Sequence, residues 1–87
     1  MVSTAKMKYI NIDTALAECF ARAIRERRKS LGVTQQELAD ICGLTVTTVH
    51  RIETAEEKRP TLGPIAKMCL ALDLDCQQII YDAWSLC

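Results

Sequence analysis

Aromatic side chains are scarce in this chain, with one Phe, one Trp and two Tyr in 87 residues. Its core must therefore come mainly from Leu, Ile, Val, Ala, Met and Cys. Long apolar runs are missing too. None approaches membrane-spanning length, and the N-terminus lacks the apolar stretch of a signal peptide, so no membrane partner and a cytoplasmic location are expected. Histidine occurs once, as His50, and none of the five cysteines (19, 42, 69, 76 and 87) forms a C-x-x-C pair. That spacing argues against a structural zinc site, and no metal or cofactor is expected. The chain also has no nucleophile–base set and no phosphate loop, so no enzyme is indicated. Cys19, Cys42 and Cys69 lie within helical apolar patterns and read as buried thiols acting as small hydrophobes. Cys87 is the candidate for a redox role, but nothing cationic flanks it to lower its pKa.

Net charge is absent as well, at formally zero, which at first argues against a polyanionic partner. The distribution argues the other way. Between Arg22 and Lys67 nine Lys or Arg face six Asp or Glu, and from Asp73 onward there are three acids and no base. Phosphate binding needs local rather than global positive charge. The length suits one small domain. With 49% apolar and 25% charged residues, the composition is that of a globular chain rather than a disordered one.

The most informative stretch is Gln35 to Thr54, QQELADICGLTVTTVHRIET. Thr34 with Glu37 forms a capping box, which opens a short helix and leaves N-terminal amides available to a phosphate. Ala39 is small enough for a second helix to approach, and Gly43 supplies a turn backbone that other residues adopt at a cost. Thr45 caps the next helix, expected over 45–54. Its first turn has no carboxylate, as suits an end facing a polyanion. Val49 and Ile52 seat it on the core, leaving Val46, Thr47, His50 and Arg51 outside. Two short helices joined this way present the second to a DNA major groove.

Around this unit the caps and stripes continue. Asp13 is the expected N-cap of a first helix running to about Leu31, with Leu16, Phe20, Ala23, Ile24 and Leu31 inward. Gly32 ends it. The charged residues Arg22, Arg25, Arg27 and Lys29 read as a solvated face. After a polar loop from Ala55 to Pro60, Thr61 is expected to cap a fourth helix. Pro64 falls in its first turn, and Leu62, Ile65, Ala66, Cys69 and Leu72 lie on one face. Asp75 and Gln78 form another capping box, for a fifth helix striped by Cys76, Ile79, Ile80, Ala83, Trp84 and Cys87. The expected fold is all-α, a compact five-helix domain over residues 13–87. A flexible arm over 1–12 precedes it, in which Lys8–Ile12 can pair as a short strand.

IRERRKSLGVTQQELADICGL, TVTTVHRIE and KRPTLGPIAKMCLALDLD together resemble the lambda-repressor-like (Cro/cI, XRE) family of helix-turn-helix DNA-binding proteins, from about Ile24 to Ile80. The resemblance implies a five-helix bundle that binds double-stranded DNA, usually as a homodimer. It implies base contacts at Val46, Thr47, His50 and Arg51. Phosphate contacts fall at Gln35, Gln36, Thr48, Lys58 and Arg59, and a partly buried ion pair between Arg28 and Glu53. Chemistry agrees: Arg51 can fork onto guanine, Val46 can meet a thymine methyl, and Thr47 can donate or accept. Two features depart from the family. Its usual Asn-Gly after the third helix is Thr54-Ala55 here, so that helix runs longer or the turn differs. Glu56 and Glu57 also place negative charge near the expected DNA backbone.

The wide apolar stripe of the fifth helix makes Ile80 and Trp84 candidates for a dimer interface, Trp84 serving equally well to close the monomer core. Three functions follow as alternatives. The first is a sequence-specific transcriptional regulator or repressor on a near-palindromic operator. The second is the antitoxin of a toxin–antitoxin pair, with a toxin protein as additional partner. The third is an interaction module that has lost DNA binding.

Overall fold

A computed structural model describes residues 12–85. Among them are five helices and no strand: α1 (Ile12–Ser30), α2 (Gln35–Cys42), α3 (Val46–Glu53), α4 (Leu62–Ala71) and α5 (Cys76–Ser85). The expected arm falls outside the described residues except for Ile12, which is already helical. Cys87 also falls outside them.

Helix α1 is the scaffold, packing against α3, α4 and α5. Ala17, Phe20, Ala21, Ile24 and Arg28 form its buried face, at the three- and four-residue spacing that aligns side chains on one side of a helix. Two expectations fail at its ends. Asp13 lies inside the first turn rather than at the cap position. Leu31 is exposed, because the helix stops at Ser30 and the chain turns away at Gly32, where φ is 71°.

The α2–turn–α3 unit forms as its caps predict. Thr34 Oγ1 accepts from the Glu37 amide at 3.0 Å, and Glu37 Oε1 accepts from the Thr34 amide at 2.9 Å. The pair satisfies two of the amides that a helix start otherwise leaves open. These bonds hold the Glu37 carboxyl below its usual pKa, the bond from the Thr34 backbone contributing most. Gly43 takes φ 68°, and its amide and that of Leu44 reach back to Asp40 and Ala39 carbonyls. A Cβ at Gly43 would meet nothing within 4 Å, so glycine is needed there for backbone conformation and not for space. Thr45 Oγ1 accepts from the Thr48 amide at 3.1 Å.

The second half follows its expected pattern less closely. Ile65, Cys69 and Leu72 are buried, but Met68, off the expected stripe, is fully buried beside them. Leu62 is 79% exposed. It lies at the very start of α4, on the edge of an open apolar groove of about 390 Å³ that it lines with Leu16, Phe20, Pro60 and Ile80. Thr61 has the extended backbone of a cap, but its hydroxyl makes no cap bond. Asp75 accepts from the Gln78 amide at 3.2 Å. The reciprocal half of that box is missing, because the Gln78 side chain donates to Asp82 one turn on, at 2.9 Å.

Phe20, Ile24, Leu38, Ala39, Val49, Ile52, Ile65, Met68, Cys69 and Ile79 belong to one continuous core, with Cys76 packed against it. Burial pushes the Cys42 and Cys69 thiols up, Cys69 to about 12. Both are protonated at neutral pH and act as small apolar groups. Among the described residues no helix is long and apolar enough to cross a membrane.

Candidate nucleic-acid interface

Helix α3 has two contrasting sides. Val49 and Ile52 are buried on one, and Val46, Thr47, His50 and Arg51 are exposed on the other. The four candidate base-reading residues are therefore brought together on one open surface. Among the described residues, no side-chain hydrogen bond or ion pair holds Thr47 or Arg51. The His50 imidazole has a distant contact among the described residues, with Glu56 at 3.9 Å.

What holds α3 in place lies behind it. Glu53, 1% exposed, meets Arg28, 8% exposed. Arg28 Nε donates to Glu53 Oε2 at 2.6 Å and Nη2 to Oε1 at 2.8 Å, the two-pronged geometry that suits guanidinium to carboxylate. The bond to Glu53 raises the pKa of Arg28 above its already high value. Arg28 Nη1 donates to the Val33 carbonyl at 2.8 Å, and Gln35 Nε2 donates to Glu53 Oε1 at 3.1 Å. No buried side-chain polar atom among the described residues lacks a partner. The ion pair expected from the sequence is present, and Gln35 ties α2 to α3 through it.

The remaining candidates are placed unequally. Gln36 is exposed, its amide donating to Asp40 at 2.9 Å. Thr48 is half-buried, and its hydroxyl meets that of Thr45 at 2.9 Å. Lys58 is exposed. Arg59 is exposed too, but its Nε donates to Asp13 Oδ2 at 3.0 Å, so part of its charge is answered within the chain. The turn after α3 departs as its sequence implies. The helix does not run on. It stops at Glu53, and Ala55 adopts φ 59°, a left-handed conformation that costs a residue with a Cβ about 1–2 kcal/mol.

Sequence reading missed two arginines. Arg25 Nη1 donates to the Glu53 carbonyl at 2.7 Å, and Arg27 Nε donates to the Leu72 carbonyl at 2.9 Å. Instead of lying on a solvated face, each binds the C-terminal end of another helix, where a cation is favoured. The spacing carried a hint: Arg25 is one turn before Arg28 and so shares its side of α1.

Two short capped helices, joined by a glycine turn and presenting an exposed polar helix face, define a helix-turn-helix module. Residues 24–79 match the family model described as Helix-turn-helix. The chain belongs to this family, in its XRE or lambda-repressor-like form, a family of DNA-binding regulatory domains that are generally non-enzymatic. No curated protein matches the sequence. As a member, the chain is a DNA-binding transcription regulator in kind.

Proposed function

We propose that the protein is a sequence-specific regulator that reads the major groove of double-stranded DNA with α3. The exposed face of that helix carries the proposal: Thr47 and Arg51 are open to solvent and, among the described residues, have no side-chain partner, while the opposite face is fixed by Val49, Ile52 and Glu53. A rigid support with idle polar groups pointing outward is what readout requires, because an unsatisfied base edge is matched only by donors held in register. Arg51 is assigned to guanine, Thr47 and His50 to neighbouring base edges, and Val46 to a thymine methyl. Gln35, Gln36, Thr48 and Lys58 are assigned to phosphates, with Arg59 joining them by leaving Asp13. Titration of random-sequence duplex at increasing salt tests the binding. Affinity should fall steeply and log-linearly with salt. Salt-independent binding, or none at low salt, contradicts the proposal.

The same reading includes a homodimer joined through α5. Ile80 is 51% exposed beside the apolar groove, Trp84 is half-buried and Tyr81 is exposed, which leaves apolar surface on a helix that carries no basic residue. A two-fold dimer presents two α3 helices to half-sites roughly 34 Å apart, so the operator is near-palindromic. Sedimentation of wild type and of an Ile80→Ala/Trp84→Ala variant decides this. A wild type that stays monomeric at high micromolar concentration and on DNA rules it out. So does a variant that unfolds without any change in association.

A further inference from the structure

The last turn of α3 is closed by a group from another helix. Four C-terminal carbonyls of a helix have no partner inside it. In α3 the His50 carbonyl accepts from the Thr54 amide at 3.0 Å and the Thr54 hydroxyl at 2.9 Å. The Arg51 carbonyl accepts from the Glu56 amide at 3.0 Å, and the Ile52 carbonyl from the Ala55 amide at 3.2 Å. Each of these donors lies in the turn that follows. The Glu53 carbonyl has Arg25 Nη1 at 2.7 Å, the shortest bond of the set. A local donor is hard to supply there, because Ala55 holds the chain in a left-handed turn as it leaves the helix.

We infer that Arg25 is a positioning residue for DNA readout, fixing the end and the tilt of α3 without touching DNA. Glu53 is then held twice from α1, by Arg28 through its carboxylate and by Arg25 through its backbone carbonyl. Val49 and Ile52 seat α3 on the core and Arg28 and Gln35 hold the Glu53 side chain, so what Arg25 adds is a hold on the backbone of the last turn. Arg51 lies in that turn, two residues before Glu53, so a shift of its backbone moves the guanidinium off a base edge. Attraction to phosphates tolerates the same movement, since it depends on charge and not on register. The inference rests on the DNA-reading role of α3 and adds a residue on its far side.

The test compares wild type, Arg25→Met, which keeps the aliphatic stem and loses the donor, and Arg25→Lys, which restores a cationic donor. Each is titrated with its selected site and with random duplex across a range of salt, below the melting transition of all three. For Arg25→Met, affinity for the selected site should fall roughly fivefold to tenfold, within the range for substitutions that contact neither partner. Random-duplex affinity and the salt slope should stay unchanged, and Arg25→Lys should recover part of the loss. In the free protein, amide exchange at 54–57 should quicken in Arg25→Met while that at Leu44 does not. A loss shared by selected and random duplex, with the salt slope reduced by about one, makes Arg25 a phosphate ligand and overturns the inference. Unchanged affinity overturns it as well, as does exchange that quickens uniformly over the chain. If wild type fails to distinguish its selected site from random duplex, the readout role of α3 falls first and this inference with it.

Discussion

The two sides of α3 are built by opposite rules. On the inner side Glu53 is sealed from water and held by Arg28 and Gln35 side chains, with Arg25 on its carbonyl. On the outer side Thr47 and Arg51 are in water, and His50 has one long contact. Eight residues thus carry two separable properties, placement and readout. Changes to the buried Arg28–Glu53 pair should act first on stability and changes to Thr47 or Arg51 on binding, with Arg25 linking the two through the last turn of α3.

The largest expected effect is on the inner side. Glu53→Ala leaves Arg28 buried without its counter-charge and should destabilise the domain by about 3–5 kcal/mol, a large share of the stability available to so small a fold. Urea unfolding would show it, and a loss below 1 kcal/mol would mean the pair is better hydrated than its burial implies. Arg51→Ala sharpens the contrast. It should cost about 1–3 kcal/mol on the preferred DNA site and relax preference at one base pair. Its urea midpoint should barely move, as for most exposed positions.

Gln35 tests whether the division is complete, because it braces Glu53 and is also the leading phosphate candidate. Gln35→Ala should weaken binding to all sequences alike and lower stability by about 1 kcal/mol through the lost hydrogen bond. Loss of stability with binding intact would place Gln35 wholly on the inner side. At the exit of α3, Ala55→Gly should raise stability by about 0.5–1 kcal/mol, relief of the left-handed strain being partly offset by chain entropy. The smallest effect concerns pH. Glu37 is held below its usual pKa by Thr34, so the capping box contributes stability at neutral pH and loses it as pH falls through the depressed pKa. Glu37→Gln should flatten that acid limb slightly. An unchanged limb would show that the box does not couple to folding.

Legibility in the sequence divides along similar lines. The α2–α3 unit was readable because its determinants are local: Thr34 and Glu37 three residues apart, Gly43 at a turn, Thr45 before an apolar period. The Arg28–Glu53 pair was readable only through family resemblance, since 25 residues separate the partners. Leu62 was placed inward and Met68 left off the stripe because one helix turn offers several apolar faces, and only the position of α2 and α1 decides which is covered. Arg25, Arg27 and Arg59 were read as solvated or DNA-facing. Their partners, two backbone carbonyls and Asp13, have no sequence signature. The exposed quartet on α3 was the easiest part of the candidate site to find, as the residues left over once Val49 and Ile52 were assigned inward.

Selection of bound duplexes from a random pool, run in parallel with wild type and Arg51→Ala, tests the readout role of α3 most directly. Wild type should enrich a near-palindromic sequence with half-sites about one helical turn apart. Arg51→Ala should enrich the same sequence with one base pair per half-site degenerate. An identical motif from both proteins would remove Arg51 from base recognition, and the absence of any enriched sequence from wild type would contradict readout by α3 altogether.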